Sequence, residues 1–109
     1  MNAPSLFDVE PFVAPPRDGT IQQRFEAFHE ANPWIYRALV ALARDWIERG
    51  HSRAGIKSFI EVVRWQYGRQ SSGEPWKLNN NFTSRYARLI AAQEPDLADL
   101  FETRELRAA

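Results

Sequence analysis

Apolar residues recur at helical spacing in four stretches of this chain, and the breaks between them fall at proline, glycine and asparagine. Ile21, Phe25 and Phe28 stand four and three apart and predict a short first helix. Asn32-Pro33 ends it and starts the next, since asparagine suits the capping of orphan amides and proline is preorganised for a first helical turn. A second helix is predicted over 33–49, because Ile35, Leu39, Leu42 and Trp46 recur at steps of four, three and four. Arg37, Ala41, Arg44, Asp45 and Glu48 fall on its other side. Gly50 is its stop, because glycine accepts the left-handed conformation that closes a helix. A third helix is predicted over 54–67, with Ile56, Phe59, Ile60, Val63 and Tyr67 on one face and Gly68 as its end.

Residues 69–78, RQSSGEPWKL, hold Gly73 and Pro75 and lack a helical period, which predicts a loop or short hairpin where a wing would sit. A fourth helix is predicted to begin at Asn80 or Asn81, to bury Phe82, Tyr86, Leu89 and Ile90, and to stop before Pro95. Leu97, Leu100 and Phe101 mark a fifth, shorter segment, followed by a fraying tail over 102–109. The expected fold class is mainly α, a small bundle of four to five helices whose element order matches a winged helix-turn-helix.

The first twenty residues break this pattern. Pro4, Pro11, Pro15 and Pro16 bar a continuing helix, so an extended arm is predicted over 1–20 ahead of a helical domain over 21–101. Leu6, Phe7, Val9, Phe12 and Val13 are too many for a mere linker, and the arm is expected to dock either on its own body or on a partner. Ser5-Leu6-Phe7 resembles the leucine-phenylalanine end of the peptides by which bacterial proteins dock on the DNA sliding clamp. Ala3 and Pro4 depart from that pattern, standing where it has glutamine and an aliphatic residue.

Composition bounds the chemistry. The 109 residues, 44% hydrophobic, suffice for one small core. The absence of cysteine removes disulfides, thiolate nucleophiles and cysteine-ligated metals, and fits a cytoplasmic setting. No apolar run suggests a leader or a membrane span. His29 and His51 lie in no metal-binding spacing, and the carboxylates read as exposed helix faces or tail, so neither a metal, a cofactor nor an enzyme is expected. Asp45 with Arg49 and Lys57 with Glu61, each four apart, read as surface pairs.

The net charge of zero hides an uneven distribution. Asp8, Glu10 and Asp18 against Arg17 leave the arm at −2. Between residues 53 and 88, seven cations against Glu61 and Glu74 give +5, and the segment from 89 onward is −3. A basic centre between acidic ends favours a local phosphate contact. Within it LNNNFTSRYARLI, 78–90, leads three asparagines into a helix whose polar face carries Ser84, Arg85 and Arg88. Asparagine pairs with adenine and arginine with guanine at two points each, so Asn80, Asn81, Ser84, Arg85 and Arg88 are the candidate base readers of double-stranded DNA. Lys57, Arg64, Arg69 and Lys77 are the candidate phosphate contacts. Asparagine capping and solvated arginines explain the same residues without a ligand. Trp34, Trp46, Trp65 and Trp76 have the chemistry to stack on bases, although tryptophans at helical spacing more often fill a core; Trp46 is assigned there and Trp65 and Trp76 stay open.

Between residues 25 and 107, above all in GIKSFIEVVRW at 55–65 and KLNNNFTSRYARLIAAQEPDLADLFETRELR at 77–107, the chain resembles small proteins encoded by bacteriophages and prophages. The resemblance implies a phage setting in a host cytoplasm and assigns no functional residues. It fits two activities: a small DNA-binding regulator, or a protein that binds and modulates a host machine through Leu6, Phe7 and Phe12 or an exposed aromatic patch.

Overall fold

A computed structural model describes residues 6–71, 73 and 76–101. Four helices, α1 (Ile21–Ala31), α2 (Pro33–Glu48), α3 (Ile56–Gln70) and α4 (Asn80–Gln93), are followed by a 3-10 turn, Pro95–Leu97. The fold is a small all-α bundle. Its only bridge of strand type among the described residues joins Ala54 to Phe101 in parallel, with the Ala54 amide donating to Leu100 O at 3.0 Å. The described part of 69–78 forms no strand; residues 72, 74 and 75 of the expected hairpin, and the tail over 102–109, lie outside the described residues.

The apolar spacing explains the bundle. α2 packs against α1, α3 and α4, and is therefore apolar around much of its circumference: Trp34, Ile35, Ala38, Leu39, Val40 and Ala43 are all buried. Phe25 and Phe28 come from α1, Phe59, Ile60 and Val63 from α3, and Phe82, Tyr86 and Ile90 from α4. Leu97, Leu100 and Phe101 close the end of the bundle, although only Pro95–Leu97 is helical, as a 3-10 turn. Leu42 and Trp46, expected in the core, are half-buried at its edge.

Local chemistry sets the helix ends. Thr20 and Gln23 form a reciprocal capping box on α1. Gly50 has φ +98° and closes α2 with the pair of bonds that this conformation permits, Gly50 N to Ile47 O at 2.9 Å and His51 N to Trp46 O at 3.3 Å. The turn also lays His51 on the Trp46 ring at 3.8 Å, while the Trp46 indole donates to Arg53 O at 2.8 Å.

Three local expectations are corrected. α3 starts at Ile56 and not at residue 54, because Ala54 is committed to its bridge with Phe101. It also runs through Gly68 to Gln70, where the Ser71 amide and hydroxyl both donate to Tyr67 O. Glu61 pairs with Arg64, at 2.9 Å, and not with Lys57, whereas Asp45 with Arg49 forms as expected at 2.9 Å.

The third correction concerns Asn32. Its side chain makes no cap bond to α2; it is fully buried and turns to the arm. Oδ1 accepts from the Val13 amide at 2.8 Å, and Nδ2 donates to Val13 O at 2.8 Å and to Phe28 O at 3.0 Å. The arm thus docks on its own body. Phe12 stacks on Trp76 (4.7 Å, 10°) and meets Phe28 edge-on at 5.6 Å, Arg24 donates to Pro16 O, and Arg37 pairs with Glu10.

Candidate nucleic-acid interface

The outward face of α4 is assembled by helical phase. Phe82, Thr83, Tyr86, Ala87 and Ile90 point inward, which leaves Asn81, Ser84, Arg85 and Arg88, at i, i+3, i+4 and i+7, together on the opposite face. Asn79 starts the helix by accepting from the Asn81 amide through Oδ1 at 2.8 Å. Of the three asparagines it is the capping one; Asn80 and Asn81 stay exposed beside the exposed Lys77.

Arg85 is oriented by two neutral acceptors. Its Nε donates to Gln22 Oε1 on α1 at 2.9 Å and its Nη1 to Asn81 O at 3.2 Å. Neither partner carries charge, so these contacts fix the guanidinium without neutralising it. Two carboxylates downstream, Glu94 and Asp96, are engaged elsewhere. Arg44 on α2 holds Glu94 at 2.7 Å and Asp96 at 2.9 Å, and the Tyr36 hydroxyl donates to Glu94 at 2.8 Å. Burial, followed by the bond to Glu94, raises the Tyr36 phenol above its ordinary range, and the bond from Arg44 holds the Asp96 carboxyl down. Glu102, further along the chain, lies outside the described residues.

Between Trp76 and Gln93 the sequence contains no Asp or Glu, while Lys77, Arg85 and Arg88 are positive. The segment around α4 itself therefore brings three cations and no acid, although the chain is neutral overall.

The four candidate phosphate contacts are placed unequally. Lys57 and Lys77 are exposed and make no ion pair among the described residues. Arg69 lies over the Trp65 ring at 4.8 Å. Arg64 is turned inward: its side chain is 20% exposed, its Nε donates to the Trp76 carbonyl, and its Nη1 binds both Glu61 oxygens. In the arm, Phe12 is taken up by the aromatic cluster and Phe7 packs against the core, whereas Leu6 remains 50% exposed.

Gln22 carries no signal in the sequence, since 63 residues separate it from Arg85 and only the packing of α1 on α4 unites them. The Trp65 to Arg69 contact, at i and i+4, was available from spacing. Among the described residues no group of His, Cys, Asp or Glu could hold a metal, and no helix is long and apolar enough to cross a membrane.

Comparison of the chain with protein-family models, with curated proteins and with solved structures returns no match.

Proposed function

We propose that the protein is a small DNA-binding protein of the regulatory kind, reading duplex DNA with the outward face of α4. The observation that carries this is the state of Arg85: held in place by Gln22 Oε1 and Asn81 O, it keeps its charge for an anionic partner. A guanidinium fixed in advance loses less entropy on pairing with a guanine edge or a phosphate. Asn80 and Asn81 at the helix N-terminus supply the amides that pair with adenine, and Lys77 and Lys57 supply exposed charge for the backbone. The run from Trp76 to Gln93 brings no acid of its own to this surface, and Glu94 and Asp96 beyond it are tied to Arg44.

Fluorescence anisotropy with labelled mixed-sequence duplex across a salt series tests the proposal. The expected result is binding that weakens steeply with salt and is lost in the Arg85→Ala/Arg88→Ala variant. Absence of binding at low salt, with the protein folded, overturns it and directs attention to a protein partner at the exposed Leu6.

A further inference from the structure

The four tryptophans receive unequal treatment. Trp34 and Trp76 are buried, and Trp46 is half-buried with His51 stacked on it. Trp65 is 64% exposed, on the side of α3 opposite Phe59, Ile60 and Val63, and Val62 one turn before it is exposed as well. One turn later Arg69 sets its guanidinium 4.8 Å from the centre of the indole. The result is a flat aromatic surface backed by a cation and presented to solvent. Trp65 and Val62 together leave an apolar patch outside the core, and the cation beside it makes the patch suited to a ligand that offers both a flat face and negative charge.

The charge of this helix face selects the occupant. Lys57 and Arg69 contribute positive charge, while Glu61 is cancelled by Arg64 at 2.9 Å. An apolar protein partner would gain nothing from that excess. A nucleic acid matches both features, since its bases offer π faces to the indole and its phosphates offer anions to the cations. Within an intact duplex both faces of every internal base are already stacked, so only an unpaired base is free to meet Trp65.

We infer that Trp65 is a stacking platform for an unpaired nucleobase, and that the ligand is DNA with a single-stranded segment rather than uninterrupted duplex. The inference rests on the nucleic-acid reading of α4 and deepens it by naming the substrate class.

The test compares anisotropy of a blunt labelled duplex, the same duplex with a thymidine overhang, and the overhang strand alone. Wild type is set beside Trp65→Ala, Trp65→Phe and Arg85→Ala/Arg88→Ala, each checked for helicity by circular dichroism. Wild type is expected to favour the overhang over the blunt duplex by roughly tenfold or more, the scale of one base–aromatic stack. Trp65→Ala should abolish that preference and leave blunt-duplex binding unchanged, Trp65→Phe should retain part of it, and the overhang strand should quench tryptophan emission in wild type but not in Trp65→Ala.

Equal affinity of wild type for blunt and overhang duplexes overturns the inference, as does a preference that survives in Trp65→Ala. Blunt binding that depends on Arg85 and Arg88 without any overhang preference sinks this inference and leaves the α4 reading standing. Failure to bind every probe sinks both. A concentration-dependent rise in mass that Trp65→Ala removes, with DNA binding unaffected, assigns the platform to self-association and also overturns the inference.

Discussion

Asn32 holds Val13 by both of its backbone polar groups, accepting from the amide and donating to the carbonyl at 2.8 Å each, with its own side chain fully buried. The second Nδ2 bond, to Phe28 O, anchors the amide plane to the end of α1. One side chain thereby does for the arm what a neighbouring strand would do, which lets a proline-interrupted segment dock where no helix could.

Asn32→Ala should therefore cost about 2–3 kcal/mol, because it strips partners from part-buried backbone groups as well as deleting its own bonds. Asn32→Asp should cost more. It retains an acceptor for the Val13 amide but aims a second carboxylate oxygen at the carbonyls of Val13 and Phe28 in a site without water contact. Urea denaturation, with limited proteolysis of the arm, checks both variants. An aspartate variant as stable as the alanine one would refute the assigned orientation of the amide.

Acid stability should decline through two groups, one beginning near neutrality and one in the carboxylate range. His29 sits among the rings of Phe25, Tyr36 and Tyr86, its Nδ1 is buried without a hydrogen-bond partner, and burial pushes its pKa below the ordinary 6.5. The unfolded chain thus takes up the proton first. Stability should fall as pH drops below about 6.5 and stop falling once the folded imidazole also titrates. Asp96 obeys the same sign, its carboxyl held down by the hydrogen bond from Arg44. Its contribution is present above the ordinary carboxylate range and is lost as pH falls through the depressed value. Melting temperatures measured from pH 8 to pH 3 should lose the decline that begins near pH 6.5 in His29→Phe and keep it in Arg44→Ala, whose decline in the carboxylate range should be shallower than that of wild type.

The bundle was legible in the sequence because each helix has an apolar face and a punctuating residue. Gly50 closes α2 as its conformational freedom demands, and Asn79, Asn80 and Pro95 bracket α4. What could not be read was the choice among alternatives that are locally equivalent. Asn32 was equally suited to cap α2 or to bind another segment, and the tertiary contact with Val13 prevailed. Gly68 reads as a stop, yet the helix continues through it. Lys57 and Arg64 are both within reach of Glu61, and Arg64 takes it because its Nε is already fixed on the Trp76 carbonyl. The face of α4 was visible from phase alone, whereas the Gln22 contact depends on how α1 lies against it.

Arg64 should behave as a structural residue and not as a phosphate contact. It ties α3 to the chain at Trp76, whose ring packs on Phe12 and Tyr67. Arg64→Ala should lower stability by about 1–2 kcal/mol, since it leaves the Trp76 carbonyl without its charged donor. The salt dependence of DNA binding should be unchanged in the same variant, measured where it remains folded. A salt slope reduced by about one, with stability preserved, would return Arg64 to the phosphate-binding set.

Gln22 offers the sharpest separation of orientation from charge at the α4 face. Its Oε1 is 2.9 Å from Arg85 Nε, and Gln22 is itself exposed, so Gln22→Ala should leave the melting temperature essentially unchanged. It removes one of two contacts that fix the guanidinium and no charge. DNA affinity should therefore fall only a few-fold, with the salt slope intact. Arg85→Lys keeps the charge, but its ammonium cannot reproduce the forked donor that reaches Gln22 and Asn81 O together. It should lose discrimination between DNA sequences while retaining most of the slope, whereas Arg85→Ala should lose affinity and about one unit of slope together. Anisotropy titrations of the three variants at several salt concentrations separate these outcomes. If Gln22→Ala and Arg85→Lys both bind like wild type, the fixed geometry of Arg85 contributes nothing to recognition, and only its charge does.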